Sequence, residues 1–448
     1  MNSKFVLSAL LAGAVIRVAA LPLPGTRDVG SWKIWTYSGA INAPTTLYGV
    51  GGSPPERRLL DFHGAETTVD YPPLALYELA AVGRIYGLLN KPAFPDNAAL
   101  TAAIKVPLLL CDIGCVLIIF FAVRAAAGNA AARWAAIAYW LNPAPIYDAS
   151  LLGYLDPLFM LPAMGAVFAG VAGWPVAAGA LFAAAVLTKA QAVVLAPAIA
   201  LIVWNGGPRG VAIHRLARAA AGGAAASVAI VAPVIAAGAW PNMIGALQSL
   251  TRHDMLSGNA PNLWWIVGYL LRARYSLDMG VWAAFTAPTK ILAISRTIEI
   301  GYPNPRVIGT LLALGAMGWG VWTAARARDL FLLAAVSAFM VHAYVTLSAQ
   351  VHENHLFAAI PLLVIAAAGR PRFRPILWTL SVIFALNLNL FYGVSEYIDG
   401  FAVPRTITIV DLTVLLALSN CVALAWHASV LRGECSKAVA YLQSPVPA

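Results

Sequence analysis

The chain has 448 residues, of which 60% are hydrophobic and 11% charged, and its mean hydropathy is +0.76. A soluble domain carries roughly 25% charged residues, so these figures exclude a soluble globular protein and define a polytopic membrane protein. The net charge of +10 does not mark a nucleic-acid binder, because Lys and Arg are dispersed in short turns between apolar runs, as the positive-inside rule requires.

From the N-terminus, Met1 to Leu21 is a lysine followed by an apolar run with Arg17 inside it and no clean small-residue cleavage site. It reads as an uncleaved first span with its N-terminus inside, since about 18 to 20 apolar residues cross a bilayer. The stretch Leu23 to Pro73 follows directly and is the longest polar, turn-rich segment of the chain. It is too polar to cross lipid and reads as an active-site loop bracketed by Asp28 and Asp70. The run Pro72 to Leu89 carries Glu78 and Arg84 and fits a span, a re-entrant helix or an interfacial one. Further apolar runs begin near Leu100, Trp134, Pro157, Trp174, Ala190, Arg218, Val307, Leu330, Leu356, Pro375 and Ile407, which with the first makes twelve. Cys111 and Cys115, two of four cysteines, lie one helical turn apart in an apolar run and form neither a disulfide framework nor a CxxC pattern.

Parity settles the ambiguous run. If Pro72 to Leu89 does not cross, then Arg124, Arg133, Arg209, Arg215, Arg218, Arg326, Arg328, Arg370, Arg372 and Arg374 all lie inside, ten basic residues in short turns against Arg405 and Lys189 outside. Short-loop Lys/Arg asymmetry sets orientation, so the expectation is an all-α transmembrane bundle of about twelve spans with both ends cytoplasmic. Residues 1–448 form one domain. Residues 23–99 make a first outside loop with a juxtamembrane helix, and residues 238–306 a second that packs over the outer face.

This topology gathers polar residues at one face: Asp28 and Asp70; Asp148 and Asp156; Lys189 and Gln191; Arg252, His253 and Asp254; and His352, Glu353 and His355. Ionisable groups at membrane depth are costly and line cavities or sites.

Five elements in order then resemble the GT-C glycosyltransferases, integral membrane enzymes that use a polyprenyl-phosphate sugar donor: Asp28 soon after the first span, DYPPLALY (Asp70 to Tyr77), LNPAPIYDASLLGYLD (Leu141 to Asp156), LTKAQAVVLAP (Leu187 to Pro197) and VHENHLFAAIPLL (Val351 to Leu363). The resemblance is closest to the branch that includes the dolichyl-phosphate-glucose glucosyltransferases and bacterial relatives. It implies a GT-C type fold, and the topology above places the site on the non-cytoplasmic side. Two positions depart from the pattern: RDVGSW replaces the acidic pair of many relatives, and Asp156 stands where eukaryotic members often carry an amide.

Sugar transfer from a lipid phosphate needs a base for the acceptor hydroxyl, a cationic partner for the developing phosphate charge and a water-poor pocket. Asp28 is the base candidate, because partial burial raises a carboxylate's pKa; the alternative is an aspartate capping a helix. Asp70 serves the site or caps the helix after Tyr-Pro-Pro, and Tyr71 stacks on a sugar or anchors the interface. Asp148 and Asp156 hydrogen-bond sugar hydroxyls, with a divalent cation between them as the less favoured alternative; no other cofactor is implied. Lys189 contacts phosphate or snorkels to the headgroups, and Gln191 assists it or is structural. His352, Glu353 and His355 do not make an HExxH zinc site and suit the departing phosphate, with Arg252, His253 and Arg405 as further contacts to phosphate or headgroups.

The function expected is a hexosyltransferase moving mannose or glucose from a polyprenyl-phosphate carrier to a lipid-linked or other acceptor at the outer face of a bacterial plasma membrane, with inversion. A transporter or lipid flippase is the alternative; it favours broken helices at the midplane in repeated halves, and the chain has no internal repeat. A noncatalytic assembly subunit is the third class.

Overall fold

Where no water reaches the backbone, each segment must satisfy its own N–H and C=O groups, so apolar runs fold as helices. The computed structural model describes residues 3–49, 58–250, 253–275, 287–299, 301–398, 404–408 and 410–443. Helices dominate them, and strands occur only in two short hairpins among the described residues.

The first four helices are α1 (Ser3–Ala20), α2 (Arg27–Ile41), α3 (Pro73–Leu89) and α4 (Ala98–Trp140). At ~1.5 Å per residue, the 43 residues of α4 would extend roughly 65 Å, twice the ~30 Å hydrocarbon core. Gly128, at φ 80° and ψ 179°, breaks the helical path, so the apolar runs expected near Leu100 and Trp134 are two helices joined between Arg124 and Arg133. A π-helical turn, Ile146–Leu151, leads to α5 (Asp156–Val171), α6 (Pro175–Thr188), α7 (Ala196–Asn205) and α8 (Ala212–Ala236). Beyond α9 (Trp240–Leu250), α10 (Leu263–Tyr275) and α11 (Ile294–Glu299) come α12 (Pro305–Thr323), α13 (Leu330–Leu347), α14 (Ala359–Gly369), α15 (Arg374–Tyr392) and α16 (Leu412–Gln443). Both α13 and α14 are buried along nearly their whole length, as befits helices that are apolar all round.

Five helices among the described residues are long and apolar enough to cross a membrane: Ala98–Leu151, Ala212–Ala236, Leu330–Leu347, Pro371–Tyr392 and Leu412–Ala438. Five shorter apolar helices accompany them. The lone charge in the first apolar run is neutralised inside the bundle. Arg17 Nε pairs with Asp112 at 3.0 Å, and Tyr139 donates to the other Asp112 oxygen at 2.5 Å. Cys111 and Cys115 are free thiols in the same helix.

The segment Leu23 to Pro73 is more ordered than a loop. Its first part is α2, whose buried Val29, Trp32, Trp35, Thr36 and Gly39 recur every three or four residues as one apolar stripe. That stripe packs on α3 at backbone distance: a Cβ at Gly39 would lie 2.7 Å from Ala80 Cβ, and one at Gly83 only 2.1 Å from Thr36 O. A hairpin of β1 (Leu60–Phe62) and β2 (Ala65–Thr67) follows. Within 238–306, residues 256–258 run alongside 350–353, through Gln350 N–H to Leu256 O at 3.0 Å, Gly258 N–H to Val351 O at 2.9 Å and Glu353 N–H to Gly258 O at 3.0 Å. A Cβ on Gly258 would meet His352 Nδ1 at 2.8 Å, so a larger residue there would push the His352 ring aside.

Candidate active site

A cavity of about 600 Å³ opens where α2, the turn before α3, the turn after α6 and the segment before α14 converge. Asp28 and Ser31, with Trp32 and Trp35, come from α2; Asp70 and Tyr71 from the turn into α3. Lys189 and Gln191 come from the 3-10 turn after α6, His253 from the second long segment, and Gln350, His352, Glu353, Asn354 and His355 from the approach to α14. Asp28, Asp70, Tyr71, Lys189, Gln191, His253, His352, Glu353 and His355 are all residues that the sequence singles out, and the fold brings them to one cavity. Arg252 lies outside the described residues. Arg405 is set apart, its guanidinium 5.0 Å from the Phe391 ring centre.

Neither Asp28 nor Asp70 occupies a helix N-cap position. The N-cap of α2 is Thr26 and that of α3 is Pro72, neither with a side-chain cap bond, so Asp28 sits within the first turn of α2 and Asp70 ahead of α3. No hydrogen-bond partner of the Asp28 carboxylate is recorded among the described residues. The Asp28 side chain is exposed and opens to the cavity. Desolvation first, then the Glu353 charge, pushes Asp28 up to about 7, with Lys189 pulling the other way and Asp70 and Glu396 adding to the rise.

Asp156 is fully buried and saturated: Lys189 Nζ donates to its two oxygens at 2.9 and 2.8 Å, Gln191 Nε2 to one at 2.8 Å and Asn354 Nδ2 to the other at 2.7 Å. The expectation that Asp156 meets sugar hydroxyls is thereby corrected, because its lone pairs are used within the protein. The shared cation site with Asp148 fails for the same reason. Asp148 is also fully buried and absent from the cavity wall, with both oxygens unpartnered among the described residues. Nor does Lys189 snorkel: it is 6% exposed and faces the cavity from its pair with Asp156.

Glu353 is clamped on one oxygen by Tyr154 at 2.5 Å and Tyr392 at 2.8 Å. Its other oxygen lies 3.9 Å from His352 Nδ1. Desolvation pushes the His352 imidazole down against the upward pull of Glu353, which favours the hydrogen-bonding form of the help expected of it over the cationic one. His352 also lies 5.7 Å from the His253 ring and 5.6 Å from that of His355. Beside Asp28, Trp32, Trp35 and Tyr71 pack edge to face at 4.9 to 5.5 Å. Sequence reasoning missed Tyr154, Tyr392, Asn354 and the two tryptophans; Tyr154 and Asn354 stand inside quoted motifs, but their partners are distant in sequence.

No protein-family model matches the chain, and no curated protein matches it in sequence. Solved structures do match it in shape. ArnT from Cupriavidus metallidurans bound to undecaprenyl phosphate aligns over 96% of this chain and 79% of its own, at 16% identity and TM-score 0.52. The same protein in its apo state aligns over 97% and 77%, at 14% and 0.48. The Archaeoglobus fulgidus oligosaccharyltransferase tethered to an acceptor peptide aligns over 97% of this chain at 14% and 0.42, and this chain spans 55% of its length. The likeness to the undecaprenyl phosphate-bound ArnT structure shows the fold alone: the chain is a helical bundle of the same architecture. It stops short of the dolichyl-phosphate-glucose branch.

Proposed function

We propose that this chain is a membrane glycosyltransferase that moves a hexose, mannose or glucose, from a polyprenyl-phosphate carrier to the hydroxyl of a lipid-linked or other acceptor. The observation that carries the proposal is Asp28, a carboxylate at the cavity wall raised to about 7 and faced by Lys189 and three histidines. A base poised near the working pH takes a proton most effectively. Asp28 removes the acceptor hydroxyl proton as that oxygen attacks the anomeric carbon; the bond from that carbon to the phosphate oxygen breaks, and the carrier leaves as the free phosphate. Lys189 supplies charge and His352 an N–H to the leaving phosphate, in a pocket where such contacts are stronger than in water. One base and one displacement give inversion. The polyprenyl-phosphate donor accords with the undecaprenyl phosphate bound by the matching ArnT structure.

The about twelve spans, cytoplasmic ends and a site at the outer face of a bacterial plasma membrane belong to the same proposal. Their support is the arginine asymmetry and the Gly128 break that makes two helices of one long run. The test is incubation of purified protein with radiolabelled polyprenyl-phosphate mannose and glucose and a membrane lipid extract. Label moving into a new lipid or protein is the expected result, and label left on the carrier refutes it.

A further inference from the structure

Lys105 lies inside α4, two residues before Pro107, and is 1% exposed. A lysine in an apolar run is costly unless something engages it, and among the described residues the partners of Lys105 are all backbone carbonyls. Its Nζ donates to Ala20 O at 3.3 Å, Leu23 O at 2.7 Å, Ser150 O at 3.0 Å and Leu151 O at 2.8 Å. Ala20 ends α1, and Leu151 ends the π-helical turn. The last carbonyls of a helix have no partner within it, and in a water-poor interior each orphan costs free energy. Ala20 O also accepts from Leu23 N–H at 3.1 Å, so Lys105 adds a second donor at the end of α1, supplies one to Leu151 O at the end of the π turn, and joins the two ends.

The joined ends carry the strand of backbone that delivers Asp28. Thr26 N–H donates to Leu152 O at 3.1 Å, next to the tethered Leu151. Gly25 O accepts from Ser395 Oγ at 2.7 Å and Glu396 N–H at 3.1 Å, and Glu396 Oε2 accepts from Arg27 N–H at 2.5 Å. A Cβ at Gly25, where φ is +78°, would lie 2.5 Å from Leu152 O, so the strap is pressed onto the π turn. Residues 23–27 are held from three sides, while among the described residues the Asp28 carboxylate has no hydrogen-bond partner.

We propose that Lys105 is a positioning residue: by joining the end of α1 to the end of the π turn it fixes the strap that aims Asp28 into the cavity. This rests on the glycosyltransferase reading above. Misplacing a reacting group by about 1 Å costs on the order of a hundredfold in rate, so a loosened strap shows in turnover before it shows in binding.

The experiment measures kcat, donor KM and the pH profile of transfer from radiolabelled polyprenyl-phosphate hexose for wild type, Lys105→Met and Lys105→Gln. Methionine keeps the stem and removes the donors; glutamine keeps two N–H groups. In Lys105→Met, kcat should fall by about tenfold or more with donor KM within about twofold. The acid limb should also move to lower pH, because Asp28, faced by Glu353, Lys189, Asp70 and Glu396, gains water. Lys105→Gln should recover part of both. An unchanged kcat, or a fall with the acid limb in place, overturns the inference. Should Lys105→Met fail to fold, Ser395→Ala loosens the same strap from its other side; the same pair of changes is expected, and a wild-type profile overturns the inference. Wild type that moves no label refutes the glycosyltransferase reading and this inference with it, whereas active wild type with unaltered variants refutes the inference alone.

Discussion

Lys189 and Asp156 are joined twice, the ammonium reaching both carboxylate oxygens at 2.9 and 2.8 Å where the residues are 6% and 0% exposed. Breaking a buried ion pair by removing one partner costs about 3–5 kcal/mol. Lys189→Ala should therefore lower the thermal midpoint of the detergent-solubilised protein, and in the folded fraction raise donor KM more than acceptor KM. His352→Ala, whose side chain is 39% exposed, should raise donor KM with little change in the midpoint. Donor kinetics unchanged in both variants would take these residues out of the site.

The acid limb of the activity profile follows from Asp28. Its base form is the active one and its pKa is about 7, so turnover should fall about tenfold per pH unit below 7 and level off above it. Glu353 is the largest charge contribution to that rise, and Glu353→Gln should move the limb to lower pH. A limb that stays in place would mean that another group titrates.

The apolar runs, the break between Arg124 and Arg133, and the convergence of Asp28, Asp70, Lys189 and His352 were legible because they rest on period and composition and on motifs at helix ends. Three features were not. Helix α2 is written in Val29, Trp32, Trp35 and Gly39, but the charged residues around that stripe disguise it as loop. The saturation of Asp156 depends on Asn354, 198 residues away, and no local pattern encodes such a contact. Lys105 carried a readable signal, an ionisable residue in an apolar run, but not the four carbonyls that explain it.

Orientation has its own readout. The Arg372 side chain is 62% exposed, and Ala43 is exposed. A cysteine replacing Arg372 should resist an impermeant thiol reagent in intact cells, while one replacing Ala43 should react. Labelling at 372 from outside reverses the proposed topology.

Asp28→Asn separates chemistry from structure most sharply. Asn keeps the volume and the polarity but cannot take a proton, so turnover should fall by roughly a hundredfold or more. Stability should move the other way. The folded pKa of Asp28 lies above the ordinary value of 3.8, so between about 4 and 7 the folded state binds the proton that the unfolded state has released, and stability declines as pH rises across that window. Asn carries no charge to desolvate. The variant should match wild type in thermal midpoint near pH 4 and equal or exceed it at pH 8, measured in the same detergent. Asp70→Asn, made in parallel, tests the neighbouring carboxylate: full turnover in Asp28→Asn with loss in Asp70→Asn would transfer the base to Asp70, and a lower midpoint at pH 8 for Asp28→Asn would show that the carboxylate is held by a contact rather than left free for the acceptor.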